Sequence, residues 1–235
     1  MKRIRCILTS IFLLLLMALG QIPANALNTG FSTEPLAQDD INTLLKNVNI
    51  SILTEEPSKK PIECFDVDED GLVAIGCSNH EKKTICVYAN DGTFLYGYTF
   101  KSNGSFGIEL DKDLLNIYLV RSDVAIAVNS SGEVDSVVKI QNNSENNAYW
   151  NNYVFLSKRK IGDIEYALEN DMGFLNFFAS SYSQIVITNE KGERSIIYDV
   201  NDEHLFNMAF LFIGCGAFVC TVIILVFREF LKLRR

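Results

Sequence analysis

The chain has 235 residues, is 48% hydrophobic and carries a formal net charge of −8, but its apolar and charged residues are unevenly spread. Setting aside two apolar ends leaves residues 27–204, a stretch of 178 with 14 basic against 28 acidic side chains and a net charge of −14. A surface that acidic repels phosphate backbones and anionic headgroups, so nucleic acid is excluded as an expected partner while cations and cationic ligands stay open.

In chain order, Lys2, Arg3 and Arg5 come first, followed by the run Ile7 to Gly20, broken only by Thr9 and Ser10. Gly20 and Pro23 end any helix, because glycine is conformationally loose and proline cannot continue the hydrogen-bond ladder. Ala24-Asn25-Ala26 then puts small residues at the −3 and −1 positions of a peptidase site. Basic residues, apolar core and cleavage site in that order predict a secretory signal peptide over 1–26, removed after Ala26. The run is also shorter than the roughly 20 residues of a membrane span, against an uncleaved anchor. Cys6 precedes it and so is not the acylated cysteine of a lipoprotein.

Residues 27–62 read as a tether and a short helix. Positions 27–38 are small and polar, with Gly30 and Pro35. From Asp39 or Asp40, either of which would cap a helix, Ile41, Leu44, Leu45 and Val48 fall at i, i+3, i+4 and i+7. Beyond them the apolar period changes to two, and residues 63–204 read as an extracytoplasmic β-repeat domain. Within it, 65–100, 108–140 and 164–200 are self-similar. Asp68 and Asp70 align with Asp111 and Asp113, then with Glu169 and Asp171, and Gly92 aligns with Gly132 and Gly192. Each copy reads as strand, acidic turn, strand, variable loop, strand, glycine turn, strand. Asp-Gly and Ser-Gly pairs suit tight hairpins, and the β-branched and aromatic runs between them suit pleated surfaces.

A four-stranded antiparallel unit of about 35–45 residues is the blade of a β-propeller. The expected fold is therefore all-β, a propeller-like array of about three four-stranded antiparallel repeats, plus a C-terminal transmembrane helix. Closed propellers use about 4–8 blades. Either residues 47–62 and 141–163 supply extra strands, or the array stays open with edges that invite a protein partner or a homo-oligomer.

The same stretch resembles propeller-type repeats of extracytoplasmic sensor and scaffold proteins. More narrowly, residues 96–100 (YGYTF), 116–125 (NIYLVRSDVA), 160–171 (KIGDIEYALEND) and 177–184 (FFASSYSQ) are similar to small uncharacterised bacterial single-pass membrane proteins. The resemblance spans residues 62–200 and implies an anchored ectodomain without implying an activity.

Phe206 to Phe227 is 22 residues without a charge, bounded by His204 and Arg228. At about 1.5 Å per residue this crosses a hydrocarbon core, so 205–227 is expected to be a transmembrane helix. The tail 228–235 has four basic residues against one acidic, which marks the cytoplasmic side. The expected topology is single-pass in the cell membrane, N-terminus outside and C-terminus cytoplasmic.

Candidate sites are few. Asp66, Asp68 and Asp70 followed by Gly71 start like a calcium loop, three carboxylates two apart with glycine at the bend, which makes Ca2+ the one candidate cofactor. The twelfth position is Cys77 rather than glutamate, and the competing reading is an acidic hairpin. If Asp70-Gly71 is a two-residue turn, Cys64 falls opposite Cys77, and Cys77 also comes near Cys86 around the next loop. One disulfide among the three, or three free thiols, both remain open. Tyr149, Trp150 and Tyr153 sit in an asparagine-rich stretch suited to sugar or peptide contact, or to plugging the core. Lys158-Arg159-Lys160 reads as a solvated turn.

His80 and His204 are the only histidines, and no zinc-protease, serine-hydrolase or phosphate-loop motif occurs. The expected function is a membrane-anchored binding or interaction module rather than an enzyme. The alternatives are an accessory subunit of a membrane complex and an anchored hydrolase working through a carboxylate pair.

Overall fold

Runs that alternate inward and outward side chains between Asp, Asn and Gly turns fold here as antiparallel strands. The computed structural model describes residue 27 and residues 29–233 except 113, with backbone alone for 226–233. The expected signal peptide, 1–26, and the last two residues of the basic tail lie outside the described residues.

The first sheet contains β2 (Ser51–Leu53), β3 (Ile62–Val67), β4 (Val73–Asn79), β5 (Lys82–Tyr88) and β6 (Phe94–Lys101) in the order β2-β6-β5-β4-β3. The second contains β1 (Thr33–Pro35), β7 (Phe106–Asp111), β8 (Leu114–Leu119), β9 (Val124–Asn129) and β10 (Val134–Ile140) in the order β1-β10-β9-β8-β7. The third is a four-stranded meander of β11 (Lys158–Ile161), β12 (Ile164–Glu169), β13 (Gln184–Thr188) and β14 (Arg194–Asp199). Three helices accompany them: α1 (Gln38–Val48), α2 (Ser144–Tyr149), which runs into a π-helical turn at Trp150–Val154, and the long α3 (Asn201–Leu233).

Side-chain alternation sorts the apolar residues into layers. Cys64, Ala74, Ile85, Val87 and Tyr98 of the first sheet pack against Ile108, Ile117, Ile126 and Val128 of the second, with Val48 of α1 at one end. Phe65, Val73, Ile75 and Tyr88 point the other way and meet Tyr166, Ile185 and Tyr198 of the third. The first sheet is thus the middle layer. The far face of the second is covered by Leu27, Phe31, Trp150 and Val154, which lie on Tyr118, Ala125 and Ala127.

Four turns share one construction. Asp68, Asn129 and Asn189 each accept, on a side-chain oxygen, the N–H groups of the residues two and four ahead, at 2.8–3.1 Å. In these turns, and in the one opened by Ala89, the fourth residue is glycine at φ of 81°, 85°, 77° and 84° respectively, a conformation that costs glycine little. The acidic turn of the first sheet and the glycine turns are therefore one motif.

Five expectations change. The Asp68–Leu72 turn is longer than a two-residue turn, so Val67 pairs with Val73 and Cys64 pairs with Gly76, not Cys77. Residues 27–38 are not a tether alone, since β1 pairs with β10, and within 47–62 the edge strand β2 pairs with β6. In the third sheet Glu169 and Asp171 do not form the first hairpin turn. That turn is Gly162-Asp163 between β11 and β12, and the segment read as a strand is a 3-10 helix, Gly173–Phe178, inside the β12–β13 loop. Lys158-Arg159-Lys160 is accordingly strand β11 rather than a solvated turn. Asp39 and Asp40 lie in the first turn of α1, where carboxylates favour the helix dipole, instead of capping it.

Candidate functional site

One edge strand of each sheet, β3, β7 and β11, is stitched to the others by buried polar side chains. Asp66 on β3 accepts the Leu110 N–H from β7 at 2.8 Å and the Arg159 Nε–H from β11 at 2.7 Å. Arg159 also donates to the Tyr153 carbonyl at 2.7 Å and lies 5.4 Å from the Phe65 ring centroid. Next to this pair, Glu109 on β7 accepts hydrogen bonds from the hydroxyls of Tyr118 and Tyr149, one on each oxygen. The Tyr118 hydroxyl also meets Thr29 Oγ1 at 2.7 Å. Gly30 is needed here: a Cβ would sit 2.0 Å from the Tyr149 ring.

Burial pushes both carboxyls up. Desolvation raises Asp66, with the Arg159 guanidinium pulling it back. Desolvation likewise raises Glu109, offset by the two tyrosine hydroxyls. All four carboxylate oxygens are taken by donors of the chain itself, and the adjoining cleft, about 220 Å³, is smaller than the roughly 300–1,000 Å³ of small-molecule sites. This arrangement holds strands together and is poorly disposed to act on a substrate.

The calcium-loop residues do not converge. Asp66 is in the ion pair with Arg159, Asp68 caps its own turn, and Asp70 contributes its backbone N–H to that turn. Among the described residues no three His, Cys, Asp or Glu side chains are grouped to hold a metal ion. Cys64, Cys77 and Cys86 are buried free thiols. Cys64 faces the second sheet while Cys77 and Cys86 face the third, so a Cys64–Cys77 bridge would have to cross the sheet. Burial pushes Cys77 up to about 11 and Cys86 to about 12, which keeps both protonated and unreactive.

Of the three predicted aromatic residues, Trp150 packs against Phe31 and Tyr118 with ring centroids 4.7 and 5.8 Å away, and stacks on Phe155 at 5.5 Å. Tyr149 is committed to Glu109, and Tyr153, 58% exposed, stacks on Tyr149 at 4.9 Å. They come together chiefly as a plug over the second sheet.

A larger open cleft lies elsewhere, where the β4–β5 turn passes the C-terminus of α1. It measures about 700 Å³ and is lined by Asn49, Ser51, Asn79, His80, Lys82 and Lys101 among others. A neighbouring cleft of about 410 Å³ shares Glu81 and Lys101 and adds Arg121. In a domain with twice as many acids as bases, Lys82, Lys101 and Arg121 against Glu81 make this end locally basic. The β4–β5 turn is the variable loop Ser78–Lys83 of the sequence, a location that suits binding.

The third sheet carries the joint with α3. This helix is long and apolar enough to cross a membrane over Asn201–Leu225, and none of its most apolar window is buried in the chain. One residue, Val200, separates β14 from α3, and its N–H is donated to Ser183 at 2.9 Å. Asn201 accepts from Ser183 Oγ at 2.8 Å and from the Asp171 N–H at 3.1 Å, and donates to the Asp171 carbonyl at 2.7 Å. Lys60 adds an ion pair to Glu203 at 2.9 Å.

Arg159, Glu109, Tyr118 and the Lys82–Lys101–Arg121 cluster were not singled out by sequence. The usable signal for Arg159 was the alternation of Lys158-Arg159-Lys160-Ile161, which fits an edge strand with one face turned inward. No protein-family model matches the chain, and a search of curated proteins finds no match either.

Proposed function

We propose that the protein is a single-pass membrane-anchored binding module, with its β-sheets outside the cytoplasm as an open, propeller-like array of three blades. The observation that carries this reading is the direct joint between β14 and α3, where an exposed apolar helix is bonded to the third sheet without a linker. A helix whose most apolar 18-residue window has no buried residue is matched by hydrocarbon rather than by water. The basic excess after Phe227 supports a cytoplasmic C-terminus with the sheets outside. The stacking of the three sheets, with one edge strand of each tied at the Asp66–Arg159 pair, supports the blade arrangement. The ligand site of this reading is the basic cleft beside α1, which suits an anionic, polar ligand.

Protease treatment of intact cells expressing the full chain with a C-terminal tag tests the anchoring. The sheets should be cut or surface-labelled from outside while the tag stays protected and in the membrane after alkaline extraction. A tag accessible from outside overturns the orientation, and extraction into the soluble fraction overturns the anchor. For the ligand site, Lys82→Glu with Lys101→Glu should abolish capture of whatever the wild-type chain retains from detergent-solubilised membranes.

A second reading, an accessory subunit of a membrane complex, is favoured by the third sheet. Its last strand, β14, ends the sheet with one edge unpaired among the described residues, and Ile196 on it is 52% exposed.

A further inference from the structure

The β12–β13 loop carries an apolar surface that the anchoring role does not use. From Met172 to Asn189 there is no charged residue, in a domain otherwise dense in charge. Within this run the 3-10 helix Gly173–Phe178 buries Leu175 and leaves Phe174, Phe177 and Phe178 exposed at 81, 88 and 52%. The exposure is built in. Asn176 accepts the Met172 N–H at 2.9 Å and donates to the Asn170 carbonyl at 2.9 Å. Asn170 in turn accepts the Ser183 N–H at 2.7 Å and donates to the Ser181 carbonyl at 3.0 Å. Loop ends pinned this firmly hold the three rings outward, when a loop meant for water would turn them in.

The depth of the loop follows from α3. The Phe178 ring meets the Phe212 ring edge to face with centroids 4.8 Å apart. Phe212 is six residues past Phe206, the first residue of the uncharged stretch, or about 9 Å along the helix axis. If that stretch occupies the hydrocarbon, Phe178 stands at the same level, within the roughly 5–10 Å reached by apolar faces at a membrane interface.

We propose that the Gly173–Phe178 loop inserts into the same bilayer leaflet that α3 enters, giving the domain a second membrane contact beside its helix. The proposal rests on the reading of α3 as a membrane span. Its occupant is the acyl region just below the headgroups. Three phenylalanines without a basic residue bind by apolar burial and not by attraction to anionic lipid. With two contacts the third sheet cannot swivel about the helix axis.

The full chain reconstituted into phosphatidylcholine vesicles brominated near the glycerol end of their chains tests this. Three proteins are compared: wild type, in which Trp150 reports from the covered face of the second sheet, Phe177→Trp in the loop, and Phe218→Trp in mid-α3. The Phe177→Trp signal above the Trp150 background should fall about twofold in brominated relative to plain vesicles, as expected for a ring at shallow depth. Vesicles brominated near the chain ends should quench Phe218→Trp instead. Quenching of Phe218→Trp without quenching of Phe177→Trp overturns the loop proposal and leaves the span standing. Quenching of neither overturns the span reading, and this proposal with it. Unchanged loop quenching on adding anionic lipid is the expected result, and an increase overturns the apolar mode of binding.

Discussion

The second and third sheets flank the first on opposite sides, and they are finished differently. The second has its outer face covered by the N-terminal arm, Trp150 and Val154, and its last strand β10 extended by β1. The outer face of the third has no such covering segment among the described residues: Ile196 is 52% exposed, and β14 leads directly into α3. Similar four-stranded meanders therefore serve different ends. One is sealed by the chain on either side of it, and the other is left open where the chain continues into the apolar helix α3.

The sharpest way to break this comparison is to place a charge on each outer face. Ala125, fully buried on the second sheet's covered face, should not accept lysine: Ala125→Lys is expected to cost on the order of 3–5 kcal/mol by stranding a charge under Phe31 and Trp150. Ile196→Lys on the third sheet should change stability by no more than about 0.5 kcal/mol. Urea midpoints of the detergent-solubilised chain measure both, and equal losses would mean that the third sheet's outer face is covered after all. A smaller effect probes the tie between the third sheet and the rest. Arg159→Ala leaves the Asp66 carboxylate buried without its guanidinium, at a cost of about 3 kcal/mol. Arg159→Met combined with Asp66→Asn should regain most of it, since no lone charge then remains.

The smallest effect lies where the second sheet meets the arm. Burial raises the Glu109 carboxyl above its ordinary range, so the folded chain holds this proton more tightly than the unfolded chain. Its stabilising contribution is complete below the ordinary carboxylate range and is lost as pH rises through the raised value. Glu109→Gln removes that titration. The stability of wild type relative to the variant should therefore decline as pH rises from about 4 to 7. A difference that does not vary with pH would show that Glu109 titrates normally.

The strands and the exposed apolar helix were legible because period-two alternation and an uncharged stretch are local signals. The register was not. Asp68 accepting the N–H groups of Asp70 and Leu72 lengthens the hairpin, and that one change moves Cys64 away from Cys77. The third meander was misread for a similar reason. Lys158-Arg159-Lys160 has the composition of a solvated turn, and only the carboxylate of Asp66, 93 residues earlier, makes Arg159 an inward-facing strand residue. Phe174, Phe177 and Phe178 looked like strand because aromatics favour pleated surfaces. Their exposure depends on the Asn170 and Asn176 bonds, which no spacing rule predicts. The polar tie around Asp66 and Glu109 joins residues from Thr29 to Arg159, so no local window contains it.

The single residue between β14 and α3 has a consequence for the fate of the domain. Proteases that clip surface proteins need accessible, unpaired backbone near the site of cleavage. Here Ser195, Ile196 and Tyr198 are paired with β13, the Val200 N–H is held by Ser183, and the Asn201 N–H is held by the Asp199 carboxylate at 2.7 Å. On the proposed anchoring there is no stalk to cut at this point, and shedding the sheets as a soluble fragment would first require the third sheet to unravel.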